Sequence, residues 1–332
     1  MLNRILKGIV ILTIIPVFLP ITTSAQIIKS SDFINELEVS VSPDYPRPNE
    51  KAYITLYMYT RDLNSADITW YQDGKIVLEG KGETSYSFKT ASAGTKTNIK
   101  VDVKFLNGVL FTKSLSINPA SVDLVWEANS YTPPFYKGKA LHPRQGNLKV
   151  VAMPEFVVND KTIPPEKLIY NWSNETKGYQ NQSGYGKNSL IVEGSILGQS
   201  NTVKVLVTDP VTNLTAQNSI KITPTDPQIV FYKNDPYYGY IFDSALINSF
   251  NLTSEEVQIL AVPYYFTKEK DSDLKYNWKL NNQTISALTG SRIAIFKKPE
   301  SQEGWSSVSL EITNLNRILQ QTKSSLVMNF TK

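Results

Sequence analysis

Cysteine is absent from all 332 residues, and histidine occurs once, at His142. Without cysteine there is no disulfide and no thiolate metal site. With a single imidazole, a zinc centre would need carboxylates for its remaining ligands. A nucleophile–His–acid relay has one place to sit, between Leu141 and Pro143, and no nucleophile elbow accompanies it. The closest string, Gly198-Gln199-Ser200, lacks the second glycine. His142 therefore reads as a satisfied loop residue. Neither Asp271/Asp273 nor Asn159-Asp160 carries the spacing of a calcium loop. Gly184-Tyr185-Gly186-Lys187 is followed by the β-rich Leu190-Ile191-Val192, not by the helix that a phosphate-binding loop requires. The sequence thus predicts no catalytic residue, no cofactor and no metal, and a protein that is not an enzyme.

A strong charge of one sign is missing too. Of 34 Lys and Arg, two (Arg4 and Lys7) lie in the first 25 residues, which leaves 32 against 30 Asp and Glu, a balance of +2. With no basic cluster, that balance excludes nucleic acid as a partner. Long apolar runs are missing beyond Pro20. The one run, from Gly8 to about Pro20, follows Arg4 and Lys7 and precedes the small residues Thr23-Ser24-Ala25. That pattern predicts a signal peptide over residues 1–25, cleaved before Gln26, and a polar leader over 26–36. Retention of the segment as an anchor is the alternative, and an uncleaved segment would be the chain's only membrane contact. The run is short for a membrane span. The expected location is exported: extracellular, cell-surface or periplasmic. An exported chain without disulfides fits a bacterial source.

What the sequence does contain is a repeat. Trp70, Trp172 and Trp278 are each preceded by a strand-like pair: Ile68-Thr69, Tyr170-Asn171 and Tyr276-Asn277. A valine-rich alternation opens 31, 31 and 30 residues later, at Val101, Val203 and Val308. Between them lie apolar pairs at period two (Tyr86/Phe88, Leu190/Val192 and Ile293/Ile295), and a glycine precedes each last long strand (Gly94, Gly198 and Gly304). Tryptophans 102 and 106 residues apart match one sandwich of roughly 100 residues per copy. Side chains alternate across a strand, so Val101, Val103, Val203, Val205, Val308 and Leu310 are predicted to point inward with the three tryptophans. Lys100, Asp102 and Lys204 face water. Asn107-Gly108 between two such runs is a hairpin signal. Copies two and three are the more alike: Val257-Gln258-Ile259-Leu260-Ala261-Val262-Pro263 mirrors Leu148-Lys149-Val150-Val151-Ala152-Met153-Pro154. A short helical turn is expected within Leu246–Glu256. The predicted domains are 37–119, 120–225 and 226–332, independent enough that the outer two survive loss of Trp172.

Trp70-Tyr71-Gln72-Asp73-Gly74, with Gly94 and the Val101/Val103 alternation, resembles the Ig-like and PKD-like modules of bacterial exported and cell-surface proteins. The chain departs from both patterns. Gly-Asp-Gly after the Trp is absent, as are the tyrosine corner and the cysteine pair. The resemblance implies an all-β chain of three tandem Ig-like/PKD-like β-sandwich domains after a cleaved signal peptide. It also implies adhesion, spacing or scaffolding rather than catalysis. The segment Tyr131-Thr132-Pro133-Pro134-Phe135-Tyr136-Lys137-Gly138 is similar to one in exported bacterial proteins linked with pilus or envelope genes.

The expected function is a non-enzymatic envelope or cell-surface module for adhesion, spacing or protein interaction. The alternatives are a periplasmic assembly or partner-binding factor for a pilus or secretion apparatus, and a carbohydrate-binding module. The partner would be a protein or an envelope polymer, glycan included. Aromatic faces stack on sugars and anchor interfaces, so the candidate binding surface is Tyr131, Phe135 and Tyr136 in the second domain with Tyr237, Tyr238 and Tyr240 in the third. The competing reading is that these rings cover a sheet edge or pack the joint between domains.

Overall fold

The computed structural model describes residues 37–194, 200–267, 270–300 and 303–330. The expected signal peptide and leader, and Gly198, lie outside the described residues. No helix among the described residues is long and apolar enough to cross a membrane.

One strand order occurs three times. In the first sandwich, Glu38–Ser42, Lys51–Tyr57 and Ser85–Lys89 form one antiparallel sheet. Lys75–Lys81, Asp67–Gln72, Thr97–Lys104 and Leu110–Ile117 form the other. Counted along the chain, strands one, two and five face strands four, three, six and seven. The second sandwich repeats this with Ser121–Ala128, Leu148–Glu155 and Ser189–Val192 against Gly184–Tyr185, Ile169–Ser173, Asn201–Thr208 and Thr215–Ile222. It adds a small hairpin, Val157–Val158 with Lys161–Thr162. The third places Gln228–Asp235, Glu256–Tyr264 and Ile293–Lys297 against Gln283–Thr284, Leu274–Leu280, Gly304–Asn314 and Gln321–Phe330. Two further strands extend it: Gly239–Leu246 pairs with Gln228–Asp235 on the outside of the first sheet, and Ser249–Leu252 lies parallel to Gln321–Phe330 at the edge of the second. The chain is therefore three tandem immunoglobulin-like β-sandwiches.

Each sandwich is built around its tryptophan. Trp70, Trp172 and Trp278 sit on the third strand and are at most 1% exposed. Burial of an indole requires a partner for its N–H, and all three find the same kind. Nε1–H donates to the backbone carbonyl of Glu83 (2.8 Å), Lys187 (2.9 Å) and Ser291 (2.8 Å), each in the stretch leading to strand five. Val101, Val103, Val203, Val205, Val308 and Leu310 are all fully buried beside them.

Turns follow residue chemistry. Asp73 (φ 49°) and Gly74 (φ 82°) join Gln72 to Lys75. Asn281 (φ 49°) and Asn282 (φ 70°) do the same between Leu280 and Gln283. Both central residues are left-handed in each, the two-residue hairpin turn whose twist matches that of the strands it joins. Pro154 and Pro263 stand inside strands, where a proline ordinarily removes a ladder bond. Each lies just past the end of strand five, beyond the last bonds from Ala152 N–H to Asn188 and from Ala261 N–H to Arg292. On that side there is no ladder left to break.

Each tryptophan pairs with a buried residue of strand six: Val101, Val205 and Leu310. The structure differs from the sequence reading in two places. In strand five of the third copy the apolar pair and the inward pair are one residue apart. The inward pair is Ala294 (0% exposed) and Phe296 (4%), while Ile295 is 53% exposed. Ile293 and Ile295 matched the apolar pattern, but the buried phenylalanine sets the register. The stretch Leu246–Glu256 holds no helical turn, because Ser249–Leu252 is drawn into the parallel pairing.

Candidate interaction surface

The aromatic residues singled out in the sequence follow strand one in their respective sandwiches, yet the structure uses them differently. After Ser121–Ala128 the chain leaves its own sheet and crosses to the third sandwich. Tyr131 N–H donates to Phe266 O (2.7 Å), and Tyr265 N–H donates to Tyr131 O (3.0 Å). Phe135 then lies flat on Phe242 with ring centroids 3.8 Å apart and stands edge-on to Tyr232 at 5.6 Å. Tyr136 is edge-on to Tyr264 at 5.5 Å, and its hydroxyl meets that of Tyr265 at 2.9 Å. Tyr232 and Tyr264 share a second hydroxyl pair, 3.1 Å apart. Together with Leu260 and Val262 these rings form an apolar cluster spanning both sandwiches. Burial, reinforced by the bond to Tyr136, pushes the Tyr265 phenol up to about 12. Burial, with the bond to Tyr232, also raises Tyr264.

An amide network closes the same joint. The side chain of Gln320 is fully buried: its Oε1 accepts from Thr267 N–H (2.8 Å) and Asn314 Nδ2 (2.9 Å), and its Nε2 donates to Arg144 O (2.5 Å) and Thr267 Oγ1 (3.0 Å). Gln145 Oε1 accepts from Leu319 N–H at 2.7 Å. Arg144 pairs with Asp226. Gln320 was not singled out in the sequence, where a glutamine between two strands reads as an exposed turn residue. His142 lies beside this network, 2% exposed, with Nε2 facing Asn201 Nδ2 at 3.2 Å; Nδ1 has no hydrogen-bond partner among the described residues. Burial lowers its affinity for a proton and holds the ring neutral.

In the third sandwich the matching segment turns back as a hairpin. Asp235 Oδ1 accepts from Tyr237 N–H (2.9 Å) and Tyr238 N–H (3.2 Å), and Gly239 adopts φ 75°, so the tip is held by its own side chain. Tyr237 is 92% exposed and Tyr238 84%. Tyr240 lies behind them, tilted against Phe242 at 5.9 Å. Of the six candidate aromatics the structure thus gathers Tyr131, Phe135, Tyr136 and Tyr240 around one cluster and leaves Tyr237 and Tyr238 on the hairpin tip. Gly184 (φ 132°) opens the short strand Gly184–Tyr185, and Gly186 (φ 70°) begins its connection to Ser189–Val192. Among the described residues, no three His, Asp or Glu come together as metal ligands.

No family model matches the chain, and no curated protein matches it. Among solved structures, it is similar to the three N-terminal domains of the Highly Immunogenic Outer Capsid protein of bacteriophage RB49. The identity is 11%, with 89% of this chain and 99% of that one covered at a TM-score of 0.27. The central fibronectin-III array of RIM-binding protein is 9% identical, with 90% and 98% covered and a TM-score of 0.30. Fibronectin(III)-like modules of Clostridium thermocellum CbhA are 12% identical over 57% of this chain and 94% of that one, with a TM-score of 0.27.

Proposed function

We propose that this chain is an exported envelope or cell-surface protein that acts without catalysis, as an adhesion, spacer or protein-interaction module, through the hairpin tip of its third sandwich. The observation that carries the reading is the pair Tyr237 and Tyr238, almost wholly exposed on a turn that Asp235 holds rigid. Exposed aromatics on a preordered turn lose little conformational entropy when covered, and tyrosine is enriched among residues that dominate binding energy. The other large aromatics of the same region are already committed to the joint, and that joint gives the hairpin a firm base.

The test has two parts. Intact producing cells are shaved with protease and followed by antibody; digestion before lysis supports the surface reading. Protection until lysis favours the periplasmic assembly factor in its place. Beads coated with the purified chain are then compared with beads carrying the Tyr237→Ser/Tyr238→Ser variant for attachment to the same cells. Loss of attachment with an unchanged Tm is expected. Equal attachment by both would remove the tip from the function.

A further inference from the structure

In two places the segment that follows strand one of a sandwich reaches forward onto the next sandwich. Pro134-Phe135-Tyr136, after Ser121–Ala128, covers the outer face of the third sandwich's first sheet, where Tyr232 stands opposite Leu260 and Val230 opposite Val262. Arg47, in the bend after Glu38–Ser42, reaches the same face of the second sandwich at Asp123. The third sandwich carries such a segment too: after Gln228–Asp235, Pro236-Tyr237-Tyr238 repeats the order proline, aromatic, aromatic. Its two leading rings cover nothing in this chain, since Tyr237 and Tyr238 are almost wholly exposed. The tip also stands at the end of its strand away from the linker 223–227, roughly 23 Å along it. The firm joint between the second and third sandwiches keeps it pointing away from the second.

The second sandwich presents the converse, a face without a cover. Val125 and Val151 hold the positions of Tyr232 and Leu260, and Asp123 and Met153 those of Val230 and Val262. Ile191 of strand five lies on the same face, opposite Lys149. In the third sandwich Tyr232, Leu260 and Val262 are buried; in the second, Val125, Met153 and Ile191 are each about half exposed. Arg47 takes only the Asp123 end. The rim is polar, with Glu127 paired to Lys149 at 3.5 Å. Strand addition beside Ile191 is blocked, because the Gln182 side chain occupies that edge: its Oε1 accepts from Ile191 N–H (2.7 Å) and its Nε2 donates to Ile191 O (2.8 Å). An apolar face within a polar rim has the composition of a protein contact.

Building on the tip as the interacting element, we propose that its partner is a second copy of this chain, with Pro236-Tyr237-Tyr238 of one molecule seated on Val125, Val151, Met153 and Ile191 of the other. The contact repeats between molecules what Phe135 and Tyr136 do within one. Rings lie against aliphatic side chains, and the Met153 thioether adds a favourable partner for an aromatic edge. Tip and face are different surfaces, so the copies join head to tail.

Sedimentation velocity of the full purified chain tests this. The parent is expected to form species larger than the monomer as concentration rises. Met153→Asp, which places a charge on the face, and Tyr237→Ser/Tyr238→Ser, which removes the rings, should each weaken association at least tenfold with Tm unchanged. Mixed one to one, these variants should recover a complex of two chains, since one keeps its tip and the other its face. A parent that stays monomeric, association indifferent to either variant, or a mixture that fails to pair would overturn the proposal. Val125→Lys replaces Met153→Asp if the latter shifts Tm. Bead attachment separates this partner from the role of the tip itself. Beads carrying the parent chain should hold to producing cells and not to cells from which the gene is deleted. Equal attachment to both, lost in Tyr237→Ser/Tyr238→Ser, would keep the tip as an adhesive element and overturn the second copy as its partner.

Discussion

The two joints of this chain are built from opposite materials. Between the second and third sandwiches, stacked rings and a buried amide network span the joint. Between the first and second, an ion pair, Arg47 with Asp123 at 2.5 Å, spans side chains 42% and 66% exposed, and beside it lies an open cleft. Ring contacts and buried amides resist shear because their partners have nowhere else to go. An exposed ion pair exchanges readily with water and contributes little. A tandem array therefore need not be uniformly stiff. Here sandwiches two and three form the firm unit, and the first is tied to it by an exposed ion pair beside an open cleft.

The sharpest way to break this comparison is Trp172→Ala. Removing the indole from the middle core should cost roughly 3–5 kcal/mol, enough to unfold a domain of ordinary stability. If the joints differ as described, the third sandwich loses the cover over its Tyr232 face, and its calorimetric transition moves down with the second. The first should melt as before. Equal shifts in both outer transitions would mean that the joints are equivalent. Next in size is Phe135→Ala, which removes the ring stacked on Phe242. We expect a loss of roughly 2–3 kcal/mol, below that of a fully buried phenylalanine, seen as separation of a shared second-and-third transition into two. Tyr136→Phe deletes only the hydroxyl pair with Tyr265 and should cost about 1 kcal/mol. Arg47→Ala should change Tm least, at most about 1 kcal/mol, and less still in high salt.

Titration separates the joints in another way. Tyr265 has its phenol raised to about 12 in the folded chain, above the ordinary value of about 10. The folded state then holds a proton that the unfolded state gives up, so this stability is intact below pH ~10 and is lost as pH rises toward ~12. His142 works in the opposite direction, because its folded proton affinity is lowered by burial. Its neutral form suits the native state, and stability falls as pH drops below the ordinary imidazole value of about 6.5. The second-and-third transition should therefore decline at both ends of the pH scale, with His142→Gln removing the acid limb. An acid limb unchanged in that variant would assign it to other groups.

Architecture was legible in the sequence because burial writes itself into alternation. The three tryptophans and their facing valines were identifiable from spacing alone. Register was less so: Ile293/Ile295 offered a more apolar decoy than Ala294/Phe296. The aromatic segments were visible, but their division was not. Tyr131, Phe135 and Tyr136 look no different in sequence from Tyr237 and Tyr238. Which set crosses to a neighbouring sandwich depends on contacts between residues more than 100 positions apart. Gln320 was invisible for a related reason: a polar side chain is buried by what surrounds it, and local pattern does not record that.

The strand Ser249–Leu252, pairing four residues with the end of Gln321–Phe330, bears on crowding. An uncovered strand offers a row of free amides and carbonyls to any neighbour, and identical molecules packed at high density are the neighbours most often met. In the first two sandwiches the corresponding last strand is an outer one. In the third, the ten-residue final strand is screened along Val327–Phe330 by a short segment of the same chain. That placement leaves a four-residue strand at the edge of the five-stranded sheet, and a short edge offers a second copy less ladder to extend.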